Sequence, residues 1–265
     1  MTEETTRMHK SRAPSSRTLT PRAQSTLSRT ATAVQKAVWS RRVSSWEHHG
    51  ALVVQPVVDE ILLRTPAGPG RTVLDIGCGT GTLALPLARQ GTTVTAVDVS
   101  PAMIEVVRKE AEAEGLTTLT LIADSAERLS CPRASLDAVV SNYALHHLRD
   151  PDKARLVDVA AGWLKPGGIL VIGDMMFGRG ATAEDREIIA GKVVALLRKG
   201  PGGWWRVVKN VFRFLLRFQE RPLSADRWAR LLEESGLVDV QSQSVVAEAS
   251  IVWGTRPAVG GSPPS

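Results

Sequence analysis

The chain has 265 residues, of which 43% are hydrophobic, and it carries a formal net charge of +6. This length suits one well-buried domain with extensions and is short for two full domains. No apolar stretch approaches the ~20 residues of a membrane span. The two cysteines, Cys78 and Cys131, are too few for a disulfide framework or a four-ligand zinc site. We therefore expect a globular cytoplasmic protein without a metal site.

The positive charge is concentrated at the start of the chain. The first 50 residues contain nine Lys or Arg and three Glu, which accounts for the whole excess. Residues 1–32 are rich in Ser, Thr, Pro and Arg and show no apolar periodicity, so they are predicted to be a disordered basic head. Residues 259–265 are predicted to be a flexible tail. The folded domain is expected over residues 33–258.

Short β-branched runs alternate with helical patterns from Thr72 onward, which predicts βαβ units and a parallel sheet. The predicted strands are Thr72–Ile76, Val94–Val97, Leu119–Ile122, Leu136–Ser141, Ile169–Asp174, Val238–Val246 and Ser250–Arg256. The predicted helices are Thr82–Gln90, Pro101–Glu114, Asp152–Leu164 and Ala225–Glu234. Ser100 is the expected N-cap of the second helix, and Gly115 is its expected C-cap. The sequence thus predicts an α/β fold with about seven strands, an antiparallel final hairpin, and a helical insertion, residues 178–222, before the last helix.

The strongest motif is a strand that ends in an acidic residue and continues into a loop with glycine at every second position. Asp75 lies in the strand, and Gly77, Gly79 and Gly81 lie in the loop. Glycines are needed there because the backbone must turn sharply and let a ligand lie against it. Asp98 follows at the carboxyl end of the next strand, where its carboxylate can accept both hydroxyls of a ribose. The pair of features predicts a nucleoside site.

The spacing of the glycines distinguishes this loop from that of a dinucleotide-binding dehydrogenase. Dehydrogenases use G-x-G-x-x-G to aim a helix N-terminus at a pyrophosphate, whereas here the third glycine comes one position early and Thr82 stands in its place. Asp75 would also repel a pyrophosphate. A carboxylate at that position suits an ammonium group, such as that of the methionine moiety of S-adenosylmethionine (SAM).

At these residues the sequence resembles the class I SAM-dependent methyltransferases, particularly the small methyltransferases called type 11. Further segments match in order and spacing over about residues 35–175. These segments are Asp98–Met103, Ala123–Ala126, Leu136–Leu148 and Leu164–Leu170. The resemblance implies a Rossmann-like, doubly wound sheet and SAM as the cofactor.

The resemblance also implies roles for individual residues. Asp98 and its neighbour Val99 would lie at the ribose, and Met103 beside the adenine. Asp124 would accept the adenine amino group, with Ser125 beside it, although Asp at this position is also typical of a helix cap or turn. Asn142 and Tyr143 would lie near the methyl group that is transferred. The cofactor-binding residues implied are Asp75, Gly77, Gly79, Gly81, Asp98, Val99, Met103, Asp124, Ser125, Asn142 and Tyr143.

Two adjacent histidines follow the fourth strand, at the edge of the sheet where ligands bind in such folds. His146 and His147 are the candidate catalytic residues, since imidazole accepts protons near neutral pH. Packing or lining of the cofactor pocket is the alternative role. Methyl transfer needs a base only if the acceptor must first lose a proton, because the sulfonium is already activated. The motifs therefore do not identify the acceptor atom.

The insertion at residues 178–222 contains a segment with basic residues on one side and large apolar residues over the rest. Its aromatic residues are Trp204, Trp205, Phe212, Phe214 and Phe218. Such a helix packs in a core, closes over an apolar pocket as a lid, or lies on an anionic membrane surface. The last two alternatives favour a hydrophobic acceptor.

The sequence as a whole predicts an enzyme that transfers a methyl group from SAM to a small, apolar or lipid-like acceptor, with peripheral membrane contact as a further expectation. One alternative is a SAM-binding regulatory protein without turnover. Another is a nucleic-acid methyltransferase that uses the basic head. Charge on a predicted disordered segment is weak evidence for a binding face, so nucleic acid is not the expected partner.

Overall fold

The computed structural model describes residues 51–176, 221–246 and 249–258. The helices are α1 (Ala51–Arg64), α2 (Ala84–Arg89), α3 (Pro101–Ala113), α4 (Asp150–Trp163) and α5 (Ala225–Glu234). The strands are β1 (Thr72–Ile76), β2 (Thr93–Asp98), β3 (Leu119–Ala123), β4 (Leu136–Asn142), β5 (Leu164–Met175), β6 (Val238–Val246) and β7 (Ala249–Thr255). Two short 3-10 turns, Ala126–Arg128 and Leu145–His147, follow β3 and β4.

The seven strands form one sheet in the order β3-β2-β1-β4-β5-β7-β6. The first five strands pair in parallel, and β7 pairs antiparallel with both β5 and β6. The chain builds outward from β1 to β3, then crosses to the other side of β1 to add β4. Ligands bind at such a reversal, beyond the carboxyl ends of the strands. The predicted α/β fold, with its mostly parallel sheet and antiparallel final hairpin, is confirmed.

Element boundaries agree with the predicted ones to within about two residues, with one exception. The strand β5 begins at Leu164, whereas the prediction began it at Ile169 after a turn. Leu164 pairs with Leu136, and Gly168 lies so close to the carbonyl oxygens of Leu136 and Asp137 that a Cβ atom would sit 3.1 Å from each. The irregular start of β5 is therefore part of the sheet.

The ends of α3 show why its boundaries were readable from the sequence. The Ser100 hydroxyl accepts the Met103 N–H at 3.4 Å, and Pro101 occupies the first turn. At the other end Gly115 has a φ of +67°. The Leu116 N–H donates to the Ala111 carbonyl at 2.9 Å, which is the Schellman arrangement.

Helix α1 was not predicted, and it covers one face of the sheet. Val57 and Ile61 are fully buried against β5. Gly173 makes this approach possible, since a Cβ atom there would lie 2.5 Å from Val57 and 2.7 Å from Ile61. Pro56 within the helix and its valine-rich sequence obscured the helical pattern.

Both faces of the sheet are covered, as expected for a doubly wound fold. One hydrophobic cluster joins the sheet to α4 and α5 and includes Leu156 and Trp228. The other joins the sheet to α1, α2 and α3 and includes Val57, Leu87 and Ile104. The side chains of these two clusters pack the helices onto the sheet and hold its strands in place. The carboxyl ends of the parallel strands therefore share one edge of the sheet.

Several predictions concern residues outside the described ranges. The basic head (1–32), the flexible tail (259–265) and nearly all of the predicted helical insertion (178–222) lie there. Of the insertion only Arg221 and Pro222 are described, and neither is helical. Among the described residues, no helix combines the length and apolar character needed to cross a bilayer.

Candidate active site

A cavity opens at the carboxyl edge of the sheet, where the chain crosses from one side of β1 to the other. It lies between the glycine loop after β1 and the 3-10 turn after β4, and it extends over the end of β2. Its wall is formed by Val54, Ile76, Gly77, Cys78, Gly79, Thr80, Thr82, Val97, Asp98, Val99, Met103, Asp124, Ser125, Ala126, Glu127, Asn142, Tyr143, Ala144, Leu145, His147 and Leu148. This is the place where a doubly wound fold holds a nucleotide or nucleoside.

The three glycines of the loop have different surroundings. A Cβ atom on Gly77 would lie 2.2 Å from the Ala144 Cβ, so the loop packs directly against the turn after β4. A Cβ atom on Gly81 would lie 2.9 Å from Leu85, which keeps the loop close to α2. At Gly79, in contrast, no atom of the described residues lies within 4 Å of the position that a Cβ atom would take, and this residue faces the cavity. Gly79 therefore leaves the open backbone surface against which a ligand can lie.

Asp98 links the glycine loop to the end of β2. One carboxylate oxygen accepts the Gly79 N–H at 3.0 Å, and the other accepts the Ser100 N–H at 2.8 Å. Burial raises the pKa of Asp98, while these two hydrogen bonds lower it in part. A carboxylate offers about four acceptor positions, so each oxygen retains one for a ligand. The side chain is thus fixed in a position to accept two neighbouring hydroxyl groups.

Asp75 lies behind the glycine loop, 1% exposed, and it is not part of the cavity wall. Neither carboxylate oxygen has a hydrogen-bond partner among the residues that the structure describes. Burial and the neighbouring negative charge of Asp98 raise the pKa of Asp75 to about 8. A cationic group in the cavity would stabilise the ionised form of Asp75 electrostatically. The interaction would act across the glycine loop, because Asp75 is not in the described cavity wall.

Asp124 and Ser125 lie at the end of the cavity next to β3. The Asp124 Oδ1 accepts the Ser125 N–H at 2.6 Å and the Arg128 Nε–H at 2.7 Å. Asp124 therefore binds both ends of the first 3-10 turn, although the N-cap position is Ser125, which makes no side-chain capping hydrogen bond. Asp124 also lines the cavity. Glu127, which also lines the cavity, contacts the Ser125 hydroxyl.

Asn142 and Tyr143 leave β4 next to the glycine loop. The buried Asn142 Oδ1 has no hydrogen-bond partner among the described residues, so an acceptor atom at the cavity wall is left for a ligand. Tyr143 has a φ of +48°, a left-handed conformation that is unusual for a bulky residue. Its N–H donates to the Gly173 carbonyl at 2.9 Å, which helps to hold this conformation. Such strain concentrates at functional sites.

The structure separates the two histidines. His147 lines the cavity, whereas His146 is not in its wall and is 6% exposed. The His146 Nδ1 lies 2.5 Å from the Asp174 Oδ1, and its backbone N–H donates to the Asp174 Oδ2 at 2.8 Å. Of the two candidate bases, only His147 can reach a molecule in the cavity without rearrangement.

Most of the predicted site residues meet at this cavity. Its wall includes Gly77, Gly79, Asp98, Val99, Met103, Asp124, Ser125, Asn142, Tyr143 and His147, whereas Asp75, Gly81 and His146 lie behind it. Sequence reasoning missed Val54, Leu145 and Leu148, because apolar residues at an edge of a sheet give no signal that separates a pocket wall from a core. Within the described ranges, no group of His, Cys, Asp or Glu could hold a metal ion.

Residues 73–168 match the family model described as a methyltransferase domain. In sequence the chain is similar to the ubiquinone biosynthesis O-methyltransferase of Xylella fastidiosa (strain 9a5c). The two are 37% identical over 161 residues, which are 58% of this chain and 63% of the relative. The chain thus spans less than two thirds of the length of this curated relative.

Solved structures share the fold at low sequence identity. One is the 1,6-didemethyltoxoflavin-N1-methyltransferase of Burkholderia thailandensis with its bound substrate and S-adenosylhomocysteine, which has a TM-score of 0.60 and 18% identity, with 90% of this chain and 92% of that chain covered. Another is the cyclase SpnF, with a TM-score of 0.55 and 18% identity, covering 76% of this chain and 80% of that one. The fold therefore accommodates more than one chemistry.

The family match covers β1 through the start of β5, which include the whole described cavity wall except Val54 of α1. The strand order and the parallel pairing of β1 to β5 agree with the fold that the motifs implied. Residues 73–168 thus match a methyltransferase domain in sequence, and the cavity lies within the matched part.

Proposed function

We propose that the chain is a SAM-dependent methyltransferase that acts on a hydroxyl group of a small, largely apolar molecule. The observation that carries the proposal is the pairing of Asp98 with Gly79. A half-buried carboxylate with one acceptor position left on each oxygen lies beside an open stretch of glycine backbone, as recognition of a ribose requires.

The described residues fit SAM along the length of the cavity. Asp98 would accept the two ribose hydroxyls, and Met103 and Asp124 would flank the adenine. The Asn142 Oδ1, which has no hydrogen-bond partner among the described residues, would accept a hydrogen bond from the ammonium group. Asp75, behind the loop, would lose its proton when the cation binds and so add a negative charge. When bound, SAM supplies a methyl group already activated by its sulfonium, so the protein's contribution is alignment and exclusion of water.

The acceptor end of the cavity would lie by Tyr143, Leu148 and Val54, where the wall is mostly apolar. His147 is placed there to take the proton of a hydroxyl group. An aromatic hydroxyl, whose pKa is ~10, suits an imidazole base better than an alcohol does, because the proton is more easily lost. The similarity to the Xylella O-methyltransferase supports a hydroxyl acceptor.

Two matched acceptor probes test the proposal. With SAM, the protein is expected to methylate 4-butylcatechol faster than 3,4-dihydroxybenzoate, since the mostly apolar acceptor end by Tyr143, Leu148 and Val54 would not replace the hydration of a carboxylate. Formation of S-adenosylhomocysteine and of the methyl ether is the measurement. A preference for the benzoate would remove the apolar acceptor from the proposal.

Cofactor binding is tested separately by calorimetry. Asp98→Ala is expected to weaken SAM by ~1.5–3 kcal/mol, or about 10- to 150-fold, because a charged acceptor of two hydrogen bonds is lost. The exposed Asp158, outside the cavity wall, provides the control Asp158→Ala, which should bind SAM like the wild type. If the wild type does not bind SAM, or Asp98→Ala binds equally well, the cofactor assignment is wrong.

The same assays distinguish the alternatives. A protein that binds SAM but methylates neither probe nor a metabolite mixture would be a regulatory SAM-binding protein. Methylation of RNA or DNA that depends on residues 1–32 would indicate a nucleic-acid methyltransferase. On sequence grounds alone, residues 178–222 remain our candidate for the segment that selects the acceptor, either as a lid or through membrane contact.

A further inference from the structure

We propose that Asp174 and His146 form a buried positioning pair that fixes the imidazole of His147 at the acceptor end of the cavity. The inference rests on the proposed function, since it assigns His147 the task of accepting the acceptor's proton. It adds two residues to the reaction that do not touch either substrate.

Asp174 lies near the end of β5, 1% exposed, and it collects three donors. The backbone N–H groups of His146 and Met175 donate to it, each at 2.8 Å, and the His146 Nδ1 lies 2.5 Å from its Oδ1. A carboxylate accepts only, so the imidazole nitrogen must be the donor. Three donors from two segments fix the turn after β4 to the end of β5.

The contact with Asp174 decides the state of the His146 ring. When Nδ1 carries the proton and donates to a carboxylate, the tautomer and the rotation of the ring are both fixed. An aspartate holds the imidazole of hydrolytic triads in the same way, by orientation and not by taking the proton. His146 is therefore a rigid, oriented ring beneath the cavity wall.

That rigid ring is the neighbour of His147. The two ring centroids lie 4.0 Å apart with an angle of 51° between the planes. Because His147 lines the cavity and packs on a ring that cannot turn, its own rotamers are restricted. An acceptor hydroxyl and the transferred methyl group must be aligned closely, so a base held in one orientation raises turnover.

Charged side chains of α4 lie near the same two residues, Asp174 and His146. Lys153 of α4 has a fully buried side chain that contacts the backbone carbonyl of Arg221 and lies 3.3 Å from Asp150. The Arg221 N–H in turn donates to the His146 carbonyl at 2.7 Å. Among the described residues, the charged and titratable groups near Asp174 and His146 include Lys153 and Asp150 of α4, Arg221, and His147 from the same turn.

The variant Asp174→Asn tests the pair. Asparagine keeps one acceptor oxygen but turns the other side into an NH2 group, which must face one of the three donors. We expect kcat for 4-butylcatechol to fall about tenfold or more, with the Kd for SAM within about twofold of the wild type, because neither residue is in the cofactor wall. The acidic limb of the kcat profile should move to lower pH, since a negative charge near His147 is lost.

Asp137→Asn is the matched control, because Asp137 is also a buried aspartate of the sheet but lies at the opposite edge, bound to Lys165, Arg71 and the Thr72 N–H. It should lower thermal stability and leave the pH profile in place. An equal loss of kcat in both variants at equal loss of stability, or an unchanged pH profile in Asp174→Asn, would overturn the proposal. If Asp174→Asn does not fold, His146→Phe keeps a ring and removes the donor; kcat should again fall about tenfold, whereas the acidic limb should not move to lower pH, because Asp174 keeps its negative charge.

Nitrogen-15 NMR of the imidazoles separates this inference from the proposed function. In the full-length protein His146 should show a protonated Nδ1, and the titration of His147 should change in Asp174→Asn, whether or not any acceptor is methylated. If neither probe is methylated but these signals behave as expected, the positioning pair stands and the acceptor assignment fails. A protonated Nε2 with a bare Nδ1 on His146 would refute the pair.

Discussion

At the scale of single residues, Asp75 is the least favourably placed group near the cavity. Its raised pKa means that in the folded protein the carboxyl keeps its proton up to about pH 8. In the unfolded chain it loses that proton near pH 4. The folded state binds more protons between these values, so the free energy of unfolding falls as the pH rises from about 4 to about 8 and stays lower above that range.

The expected fall in the free energy of unfolding with rising pH leads to a prediction for Asp75→Asn. The variant should melt a few degrees above the wild type at pH 9, where Asp75 must be buried with a charge, and should match it at pH 4. SAM should bind more weakly to the variant, and the proton released when SAM binds the wild type near pH 7 should disappear. Melting scans at the two pH values and calorimetry in two buffers of different ionisation enthalpy give both answers.

Asp137→Asn is a useful comparison because the pKa of Asp137 is shifted in the opposite direction to that of Asp75. Burial alone would raise the pKa of Asp137, but hydrogen bonds from Lys165, the Thr72 N–H and Arg71 lower it overall. Its ionised form therefore stabilises the folded state above about pH 4, and the variant should melt below the wild type at pH 7. If Asp75→Asn also melts lower at pH 9, the buried charge of Asp75 is compensated in the free protein, and the sign of its pKa shift is wrong.

The site residues differ in how much of their position and role could be predicted from the sequence. The glycine spacing and Asp98 give a local signal, since the turn and the ribose contact need those residue types at those positions. The raised pKa of Asp75 depends in part on Asp98, and the position of His146 depends on Asp174; both partners come from other strands. Contacts across strands leave no pattern within a short segment of sequence, so these features needed the structure.

At the scale of elements, the approach of α1 to β5 at Gly173 is the contact that a sequence pattern could not reveal. The glycine looks like a weak point in a strand, and its reason is a helix more than 100 residues earlier in the chain. α1 also supplies Val54 to the cavity wall. The packing of this helix therefore affects both stability and the shape of the site.

Gly173→Ala is expected to lower the free energy of unfolding by about 1–3 kcal/mol, because the new methyl group would overlap Val57 and Ile61. The affinity for SAM should change less than the stability does. Gly162→Ala is the control within α4, where the nearest atom to a new Cβ is 3.9 Å away. There, alanine should leave the stability unchanged or raise it by a few tenths of a kcal/mol. Denaturant unfolding of the two variants measures the difference, and equal stability would show that α1 can shift without cost.

At the scale of the whole molecule, the buried members of the hydrophobic clusters formed by the described residues lie within residues 54–252. The composition of residues 1–32 predicts that removing them leaves the melting temperature and the SAM affinity unchanged within error. Melting scans and calorimetry on the shortened chain are the measurements. A drop of several degrees would show that the head belongs to the folded domain.

The class of fold was predictable because alternating strand and helix patterns leave few arrangements, and because crossover connections obey a fixed handedness. The position of the cavity followed from the glycine motif. The order of the strands was not derivable from these patterns, since pairing between β5 and β7 depends on contacts of residues about 80 positions apart. The shape of the acceptor end likewise depends on apolar side chains from three separate elements.

The hydrogen bonds around His146 and Asp174 have a further consequence for how this protein can change over time. The Asp174 carboxylate accepts the Met175 N–H at the end of β5, and the His146 carbonyl accepts the Arg221 N–H. The described segments on either side of residues 177–220 are thus anchored to one pair of touching residues. The entropy of closing a flexible loop grows only slowly with its length, by about 0.6 kcal/mol for each doubling. A flexible insertion of a different length can therefore join the same two anchors at little entropic cost and without rebuilding the cofactor cavity.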